Sequence, residues 1–221
     1  MLAKELISDI TPSLRITDTG QSALNLMEVF RISHLPIVEN NEFLGVISDQ
    51  DIFDLNMAGE QLEKHQLSLF SPFVYDYQHV YEVINIVHKL KLTVIPVLDE
   101  SKKYLGMITL GDLLQYFATF LAVQNPGGII ELELNNIDYS LTQIAQIVEG
   151  NDTKILSLYV SSNPDSNKIN LTLKLNRQDI SGVLQAFERY DFDVRASYMD
   201  ENKMEDLYQE RYDEFMRYLN T

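Results

Sequence analysis

Apolar and polar positions repeat along the first half of the chain in two matching patterns. Residues 24–38, LNLMEVFRISHLPIV, align without gaps with residues 84–98, INIVHKLKLTVIPVL, at an offset of 60. After the next turn the offset becomes 61 and the same residue types recur, with Leu44, Gly45, Ile47, Ser48 and Asp51 matching Leu105, Gly106, Ile108, Thr109 and Asp112. A repeat of this length indicates two copies of one folding unit.

Each copy predicts a helix, a β-hairpin and a second helix. In the first copy, Leu24, Met27 and Ile32 recur at helical spacing. Pro36 in the first copy and Pro96 in the second then open a short strand, because a proline is tolerated at the first residue of a strand. A glycine lies inside the second strand of each hairpin. It predicts a bulge, or a close approach of another group to the backbone.

The second half of the chain has a different pattern. Segments of strand-like alternation are interspersed with segments of helical spacing in the order β, α, β, β, α, β. The strands are predicted at 129–136, 154–162, 168–176 and 193–199, and the helices at 140–151 and 179–192. This order is that of the ferredoxin-like split unit. The Pro-Gly-Gly within residues 121–129 indicates a linker before it.

Residues 201–221 predict a C-terminal amphipathic helix. Its apolar side chains recur every three or four residues and form one stripe, at Met204, Tyr208, Tyr212, Phe215 and Leu219. The opposite face is acidic. A stripe of this kind usually packs against the protein's own core or against another subunit.

Composition narrows the class of protein. Apolar residues make up 45% of the 221, so the chain can bury a core, and the absence of cysteine excludes disulfides and thiolate metal sites. The net charge of −16 disfavours nucleic acid as a partner, because phosphate backbones repel an acidic protein. No stretch approaches the roughly 18 uncharged apolar residues of a membrane span. Residues 1–10 carry charge inside their apolar run, unlike a signal peptide, so we expect a cytoplasmic protein.

The chemistry of the repeat lies where its second strand ends. Ser48 and Asp51 in the first copy, and Thr109 and Asp112 in the second, place a hydroxyl at the start of a helix and a carboxylate three residues later. This spacing is that of a capping box, which satisfies backbone N–H groups. The same carboxylate could accept the hydroxyls of a ribose, and the adjacent helix N-terminus could offer N–H groups to a phosphate. The spacing alone leaves both interpretations open.

The sequence gives less support to catalysis and to metal binding. The four histidines show no metal-ligand spacing, and the chain has no P-loop, no Gly-x-Ser-x-Gly turn and no cysteine site. Asp49, Asp51 and Asp54 could be a magnesium site or a solvated acidic face. The face is the favoured interpretation, because Asp49 points away from the other two at helical spacing. We therefore expect no enzymatic activity and no metal site.

The duplicated unit resembles the CBS domain, two copies of which pair into a Bateman module. The residues that carry the resemblance are Pro36, Gly45, Ser48 and Asp51, and then Pro96, Gly106, Thr109 and Asp112. The resemblance implies an α+β fold, with one CBS repeat at residues 1–62 and the second at residues 63–123.

The resemblance also implies a ligand. In proteins similar to this one, the hydroxyl and the carboxylate contact the ribose and phosphate of an adenosine ligand, and the adenine lies near the strand that carries the proline. The corresponding residues here are Ser48, Asp51, Pro36, Thr109, Asp112 and Pro96. Family members that hold phosphates usually have a basic residue just before the proline. His34 fills that place in the first copy, whereas Val94 cannot do so in the second.

The candidate ligands are AMP, ADP, ATP and S-adenosylmethionine, and no cofactor is required. The scarcity of basic residues before the prolines favours a monophosphorylated or uncharged adenosine ligand over a triphosphate. The same scarcity keeps a ligand-free protein in consideration.

Residues 127–200 resemble an ACT domain, and the whole arrangement is similar to bacterial CBS-CBS-ACT proteins, including the acetoin-utilisation accessory proteins. ACT domains that bind amino acids usually carry a glycine in the turn after the first strand, where this chain has NNIDYS. We therefore interpret this domain as an assembly element rather than an amino-acid sensor. The apolar helix at residues 113–123 needs a second covering surface, which predicts a homodimer.

Two functions are consistent with these features. The first is a non-catalytic regulatory binding protein that senses an adenosine nucleotide through its CBS pair and acts on a regulated protein that the sequence does not identify. The alternative is a ligand-free structural adaptor that dimerises and modulates a partner protein. Capping boxes without a ligand would serve the adaptor equally well.

Overall fold

The structure is a computed structural model in which residues 1–64, 71–162 and 167–199 are described. The chain divides into two compact units, Met1–Tyr116 and Phe117–Thr221. The helix predicted at residues 201–221 lies outside the described residues.

The first unit contains both copies of the repeat. In the first copy, helix α1 (Gly20–Phe30) precedes the hairpin of β1 (His34–Glu39) and β2 (Glu42–Ser48), and the short helix α2 (Asp49–Asp54) follows. In the second copy, strand β3 (Val74–Tyr75) precedes helix α3 (Val80–Leu90), the hairpin of β4 (Val94–Leu98) and β5 (Tyr104–Thr109), and helix α4 (Leu110–Phe120). Two short 3-10 helices lie at Ala3–Leu6 and Leu62–Lys64. Both copies thus have the expected order of helix, hairpin and helix.

Helices α1 and α3 end in the same way. Each has a left-handed residue at its C-terminus, Arg31 with φ of 56° and Lys91 with φ of 53°. The N–H group of each donates back to carbonyls of the last turn. A left-handed residue stops the helix and redirects the chain. The two hairpins therefore begin at equivalent residues, three positions later in each copy.

Both prolines lie inside their strands rather than at the first residue, which corrects the expectation from the sequence. Pro36 is opposite Val46 in the β1–β2 ladder, and Pro96 is opposite Met107 in the β4–β5 ladder. The carbonyl of Pro36 accepts a hydrogen bond from Leu14 N–H at 2.9 Å, so the missing N–H of Pro36 faces Leu14 and not β2. No hydrogen bond of the hairpin is lost, and the proline is tolerated.

The N-terminal segment packs on the second copy, although it precedes the first copy in sequence. Ala3 and Leu6 are buried in the core cluster of the second copy. The backbone N–H of Ser8 donates to the carbonyl of Met107 at 2.8 Å, and Ile7 lies against the backbone of Gly106. The core of the second copy therefore includes residues from before the boundary expected between residues 62 and 63. That boundary remains a prediction.

In its described residues, the second unit contains a four-stranded antiparallel sheet and two helices. Its elements are β6 (Ile129–Asn135), α5 (Leu141–Glu149), β7 (Ile155–Ser162), β8 (Lys168–Leu175), α6 (Ser181–Arg189) and β9 (Asp193–Tyr198). The strand order across the sheet is β7-β8-β6-β9. Alternate residues of β6 and β8, such as Leu132 and Leu171, are buried with Ile144 and Phe187 from the helices. Both helices therefore cover the same face of the sheet.

Gly106→Ala should destabilise the first unit, and Gly59→Ala should not. A Cβ atom at Gly106 would lie 2.4 Å from Cγ2 of Ile7, and the φ of +155° is one that side chains rarely adopt, whereas a Cβ at Gly59 meets no atom within 4 Å. We expect Gly106→Ala to lower the free energy of unfolding by about 1–3 kcal/mol, measured by urea denaturation. Equal midpoints for the two variants would contradict the packing of Ile7 on Gly106.

Candidate functional site

The hydroxyl and carboxylate pairs of the two copies have nearly identical geometry. In the first copy, Asp51 Oδ2 accepts hydrogen bonds from Ser48 N–H at 2.9 Å and from the Ser48 hydroxyl at 2.7 Å. In the second copy, Asp112 Oδ2 accepts the same two bonds from Thr109 at 2.8 Å and 2.7 Å. The N–H of each aspartate donates back to the hydroxyl oxygen at 3.1 Å. Both pairs are therefore complete capping boxes.

Each carboxylate keeps one oxygen for another partner. Within the described part of the chain, Oδ1 of Asp51 and Oδ1 of Asp112 accept no hydrogen bond, because Oδ2 takes both bonds of the box. The hydroxyls of Ser48 and Thr109, in contrast, have already donated their only proton to that carboxylate. The site can accept hydrogen bonds from a ligand through Oδ1, but its hydroxyls can offer a phosphate no proton while the boxes are intact.

His34 lies beside the first box. It is the residue of β1 that pairs directly with Ser48 of β2, so the two side chains leave the hairpin on the same side. Its Nδ1 accepts a hydrogen bond from Thr93 N–H at 3.3 Å and lies 3.0 Å from Thr93 Oγ1. The Nδ1 atom is therefore an acceptor, which leaves the proton of the neutral ring on Nε2.

Burial lowers the pKa of His34, and the nearby carboxylates of Asp49 and Asp51 oppose that shift without cancelling it. A proton on Nδ1 would also face the N–H group of Thr93, donor against donor. The imidazole is therefore neutral near pH 7 and does not offset the two carboxylates.

Thr93 joins the two copies at their seam. Its hydroxyl oxygen accepts a hydrogen bond from Ser33 N–H at 2.9 Å. The carbonyl of Ser33 accepts from Asp49 N–H at 3.1 Å, and the carbonyl of Thr93 accepts from Leu110 N–H at 3.0 Å. The first residues of α2 and α4 are thus connected through Ser33 and Thr93. The sequence analysis did not identify Thr93, although its alignment with Ser33 at the offset of 60 was a usable signal.

Apolar residues reinforce this seam. Val94 and Met107 of the second copy are buried in the core cluster of the first, together with Leu14, Ile37 and Ile47. Pro36 and Pro96 are also buried. The two prolines each lie opposite the residue that is two positions before the capping hydroxyl. Each proline therefore lies two residues along the hairpin from the pair that contains its own capping hydroxyl.

The two sites differ in charge at equivalent positions. His34 corresponds to Val94, and Asp49 corresponds to Leu110. The first site therefore has two carboxylates and a neutral imidazole, whereas the second has one carboxylate between two aliphatic side chains. The alignment of the repeat already contained this difference, but its importance depends on the pairing of His34 with Ser48.

A groove of about 610 Å³ lies next to the first site. It runs between α1 and α2, and its lining includes Leu24, Met27, Arg31, Ser33, Asp49 and Phe53. Its charged lining residues are Glu28, Arg31 and Asp49.

A smaller cavity of about 360 Å³ lies in the second unit, at the turn after β6. Its charged lining residues are Glu133, Asp138, Lys168, Asp191 and Asp193. Lys168 donates a hydrogen bond to Glu133 at 2.6 Å, which lowers the pKa of Glu133 and raises that of Lys168. The charged lining thus consists of four carboxylates and one ammonium group.

In residues 1–64, 71–162 and 167–199, no three histidine, aspartate or glutamate side chains are arranged to hold a metal ion. The aspartates of α2 do not form such a group. Over the same residues, no helix combines the length and the apolar character that crossing a bilayer requires.

The structure predicts that His34 makes stability depend on pH. Because burial lowers its pKa below the ordinary value of 6.5, the unfolded chain takes up the proton first as the pH falls. The contribution of neutral His34 is therefore complete above that ordinary value and decreases below it. We expect the difference in unfolding free energy between about pH 7.5 and 5.5 to be smaller in His34→Asn, which keeps an acceptor for Thr93 N–H.

The control for this experiment is His88→Asn, since His88 is exposed near the end of α3. It should keep the pH dependence of the parent protein. If His34→Asn also keeps it in urea titrations, the buried histidine is not its source.

Comparison with known proteins identifies the repeat. A family model described as the CBS domain matches residues 3–57 and 71–119. The chain is 28% identical over 129 residues to a CBS domain-containing protein of Dictyostelium discoideum. The aligned region covers 52% of this chain and 89% of that protein. It is also 28% identical over 101 residues to inosine-5'-monophosphate dehydrogenase of Methanocaldococcus jannaschii, covering 44% of this chain and only 20% of that enzyme.

Solved structures give similar partial matches. An acetoin utilization protein (AcuB) from Vibrio cholerae is 23% identical, with 56% of this chain and 95% of that chain covered and a TM-score of 0.49. CBSX2 in complex with AMP is 18% identical, with 53% and 96% covered and a TM-score of 0.46. A CBS domain pair in complex with 5'-methylthioadenosine and S-adenosylmethionine is 22% identical, with 54% and 97% covered and a TM-score of 0.44. The match to the family model is stronger evidence than these structural similarities. It shows that this chain contains a tandem pair of CBS domains, at residues 3–57 and 71–119.

Proposed function

We propose that this chain is a non-catalytic regulatory protein that senses an adenosine ligand through its pair of CBS domains. The observation that carries the proposal is the free oxygen on each capping carboxylate. Asp51 and Asp112 are both held by Oδ2, and Oδ1 of each accepts no hydrogen bond from the described residues. A carboxylate oxygen fixed in this way suits the donor hydroxyls of a ribose.

The charges of the first site restrict the ligand. Two carboxylates with a neutral His34 repel added negative charge, and the capping hydroxyls have no free proton for a phosphate. These features favour adenosine, a thioether or sulfonium derivative of it, or AMP over ADP and ATP. The ligands of the two complexes above, AMP and S-adenosylmethionine with 5'-methylthioadenosine, belong to those proteins and fall within this class.

The alternative is a structural adaptor without a ligand. The specific observation in its favour is that both capping boxes are internally complete, so neither helix needs a ligand to form. Binding measurements separate the two functions, because the adaptor gains no stability from any adenosine compound.

We also propose that residues 127–200 form an ACT-like assembly domain that does not sense amino acids. The turn after β6 is a 3-10 helix, Asn136–Asp138, with no glycine and with Ile137 exposed. In this arrangement, the CBS pair senses the ligand and the second unit contributes to the assembly that acts on a regulated cytoplasmic partner.

The homodimer is proposed to form through the helices of the first unit. Helices α1, α2, α3 and α4 each expose a large apolar or aromatic side chain, at Val29, Phe53, Tyr81 and Leu114. Leu114 is 71% exposed, although the sequence of its helix predicts burial on every side. A closed twofold dimer would cover all four on both chains.

Adenosine compounds should stabilise the protein, and loss of either capping carboxylate should weaken binding. A ligand at 100 times its dissociation constant adds about 2.7 kcal/mol to the stability of the folded state. Asp51→Ala and Asp112→Ala should each weaken binding by about one to two orders of magnitude, since hydrogen bonds to a charged group contribute about 1.5–3 kcal/mol.

Thermal shift and calorimetry with adenosine, AMP, ADP, ATP and S-adenosylmethionine test this prediction. The matched control is Asp54→Ala, which removes the same charge from α2 outside the capping box. If millimolar concentrations of all five compounds give neither a shift nor heat, the sensing function is wrong. If Asp54→Ala weakens binding as much as Asp51→Ala, the effect is one of net charge.

Light scattering should give about twice the monomer mass of 25.5 kDa at micromolar concentration. Leu114→Asp should shift the protein toward the monomer, because it places a charge inside the proposed helical interface. Ile137→Asp is the control, since Ile137 is an exposed apolar residue in the second unit. A parent protein that is purely monomeric, or a Leu114→Asp variant whose dimer dissociates at the same protein concentration as that of the parent, would exclude this interface.

A further inference from the structure

The first site contains an imidazole for which the second site has no counterpart. His34 occupies the position of Val94 in the second copy, and it pairs directly with the capping residue Ser48 across the hairpin. The two capping boxes are otherwise nearly identical, since Asp51 and Asp112 each accept the same two bonds. A difference in how the two sites respond to pH, between about pH 5 and 8, is therefore expected from this side chain.

The seam holds one ring nitrogen of His34 and leaves the other available. Nδ1 accepts a hydrogen bond from Thr93 N–H at 3.3 Å and lies 3.0 Å from Thr93 Oγ1. Nε2 makes no hydrogen bond with residues 1–64, 71–162 or 167–199, although the ring is half-buried. The contacts with Thr93 fix the ring, so Nε2 is held in place as a donor for a ligand of the first site.

The hydroxyl of Thr93 can hold the ring in either charge state. A threonine hydroxyl both donates and accepts, and its proton rotates to suit the partner. It donates to Nδ1 while the imidazole is neutral, and it accepts from Nδ1–H when the imidazole is charged, over the same 3.0 Å. The charged state gives up the longer bond from Thr93 N–H, at 3.3 Å. A proton therefore changes the charge of His34 without releasing the ring from the seam.

The charged groups that act on His34 are the carboxylates of Asp49 and Asp51 on α2. The residues that flank the ring from β2 and β4 carry no charge. Arg31, three residues before His34, lines the neighbouring groove together with Asp49. The neutral ring offsets neither carboxylate, whereas the protonated ring offsets one of them and presents a positively charged N–H donor.

We propose that His34 determines which ligand charge the first site accepts. In its neutral form it admits uncharged adenosine compounds and gives an anionic 5' group no compensation for the two carboxylates. In its protonated form it offers that group a charged donor. The second site, with Val94 in this position, keeps one preference at every pH in the range. This inference rests on the proposed function, because it describes the selectivity of the same site.

Linkage sets the size of the effect. An opposite charge within about 4–6 Å shifts a pKa by about one to three units, so an anionic ligand beside His34 raises the pKa of the imidazole. Proton uptake and binding of the anionic ligand then favour each other. Affinity for that ligand increases as the pH falls, by up to about tenfold for each unit by which the pKa differs between the bound and the free protein. An uncharged ligand has no such effect.

Adenosine and adenosine 5'-sulfate are the probes for this inference. The sulfate ester stays a monoanion throughout the pH range, whereas the phosphate of AMP takes up a proton of its own near about pH 6. The full-length variants Asp112→Ala and Asp51→Ala isolate the first and the second site, respectively. Both compounds are titrated into each variant by isothermal titration calorimetry at about pH 7.5, 6.5 and 5.5.

In Asp112→Ala, the affinity for adenosine 5'-sulfate should increase about three- to tenfold from pH 7.5 to 5.5, and that for adenosine by less than about twofold. In Asp51→Ala, neither affinity should depend on pH. Adding His34→Asn to Asp112→Ala should remove the pH dependence and preserve adenosine binding, because asparagine keeps an acceptor for Thr93 N–H. Titrations in two buffers of different ionisation enthalpy should show proton uptake with the sulfate ester and none with adenosine.

Two kinds of failure are distinguishable. If adenosine binds but adenosine 5'-sulfate shows a flat pH profile, the inference about His34 is overturned and the proposed function stands. A profile that persists in His34→Asn, or that is equally steep in Asp51→Ala, overturns it as well. If neither compound binds at any pH, the proposed function fails and this inference fails with it. Should His34→Asn not fold, the comparison of the two isolated sites still decides, because the second site has no imidazole.

Discussion

The hydrogen bonds of Thr93 to Ser33 and His34 are the contacts on which both candidate sites depend. They connect the starts of the two hairpins, and through backbone bonds of Ser33 and Thr93 they reach the first residues of α2 and α4. Val94 and Met107 enter the core of the first copy at the same seam. If this seam were displaced, each capping carboxylate would keep its own box but lose its fixed position relative to the other copy.

The capping boxes explain how one local arrangement can serve both stability and recognition. A capping box needs only one oxygen of its carboxylate, so the second oxygen is available without any cost to the helix. The duplicated chain has kept this arrangement in both copies while the surroundings have diverged, with His34 and Asp49 in one and Val94 and Leu110 in the other. In the proposed function, the two sites therefore share the recognition of ribose and differ in their tolerance of negative charge.

Sequence reasoning succeeded where the determining interactions are local. The helices, the hairpins and the hydroxyl–carboxylate pairs depend on residues within a few positions of one another, and the duplication displayed each of them twice. It failed where the partner is distant in sequence. Ile7 packs against Gly106, and Thr93 hydrogen-bonds with His34. Neither contact can be read from the spacing of apolar residues along the chain. The prolines were misplaced within their strands because tolerance of Pro36 depends on which side of β1 faces Leu14.

The most direct test of the central claim compares two adenosine analogues by isothermal titration calorimetry. 5'-Deoxyadenosine keeps the ribose hydroxyls that Asp51 and Asp112 are proposed to accept, whereas 2',3'-dideoxyadenosine lacks them and keeps the adenine. The account predicts that 5'-deoxyadenosine binds at least roughly tenfold more tightly, the effect expected for lost hydrogen bonds to a charged acceptor. Equal affinity for the two analogues, or binding of neither, would contradict it.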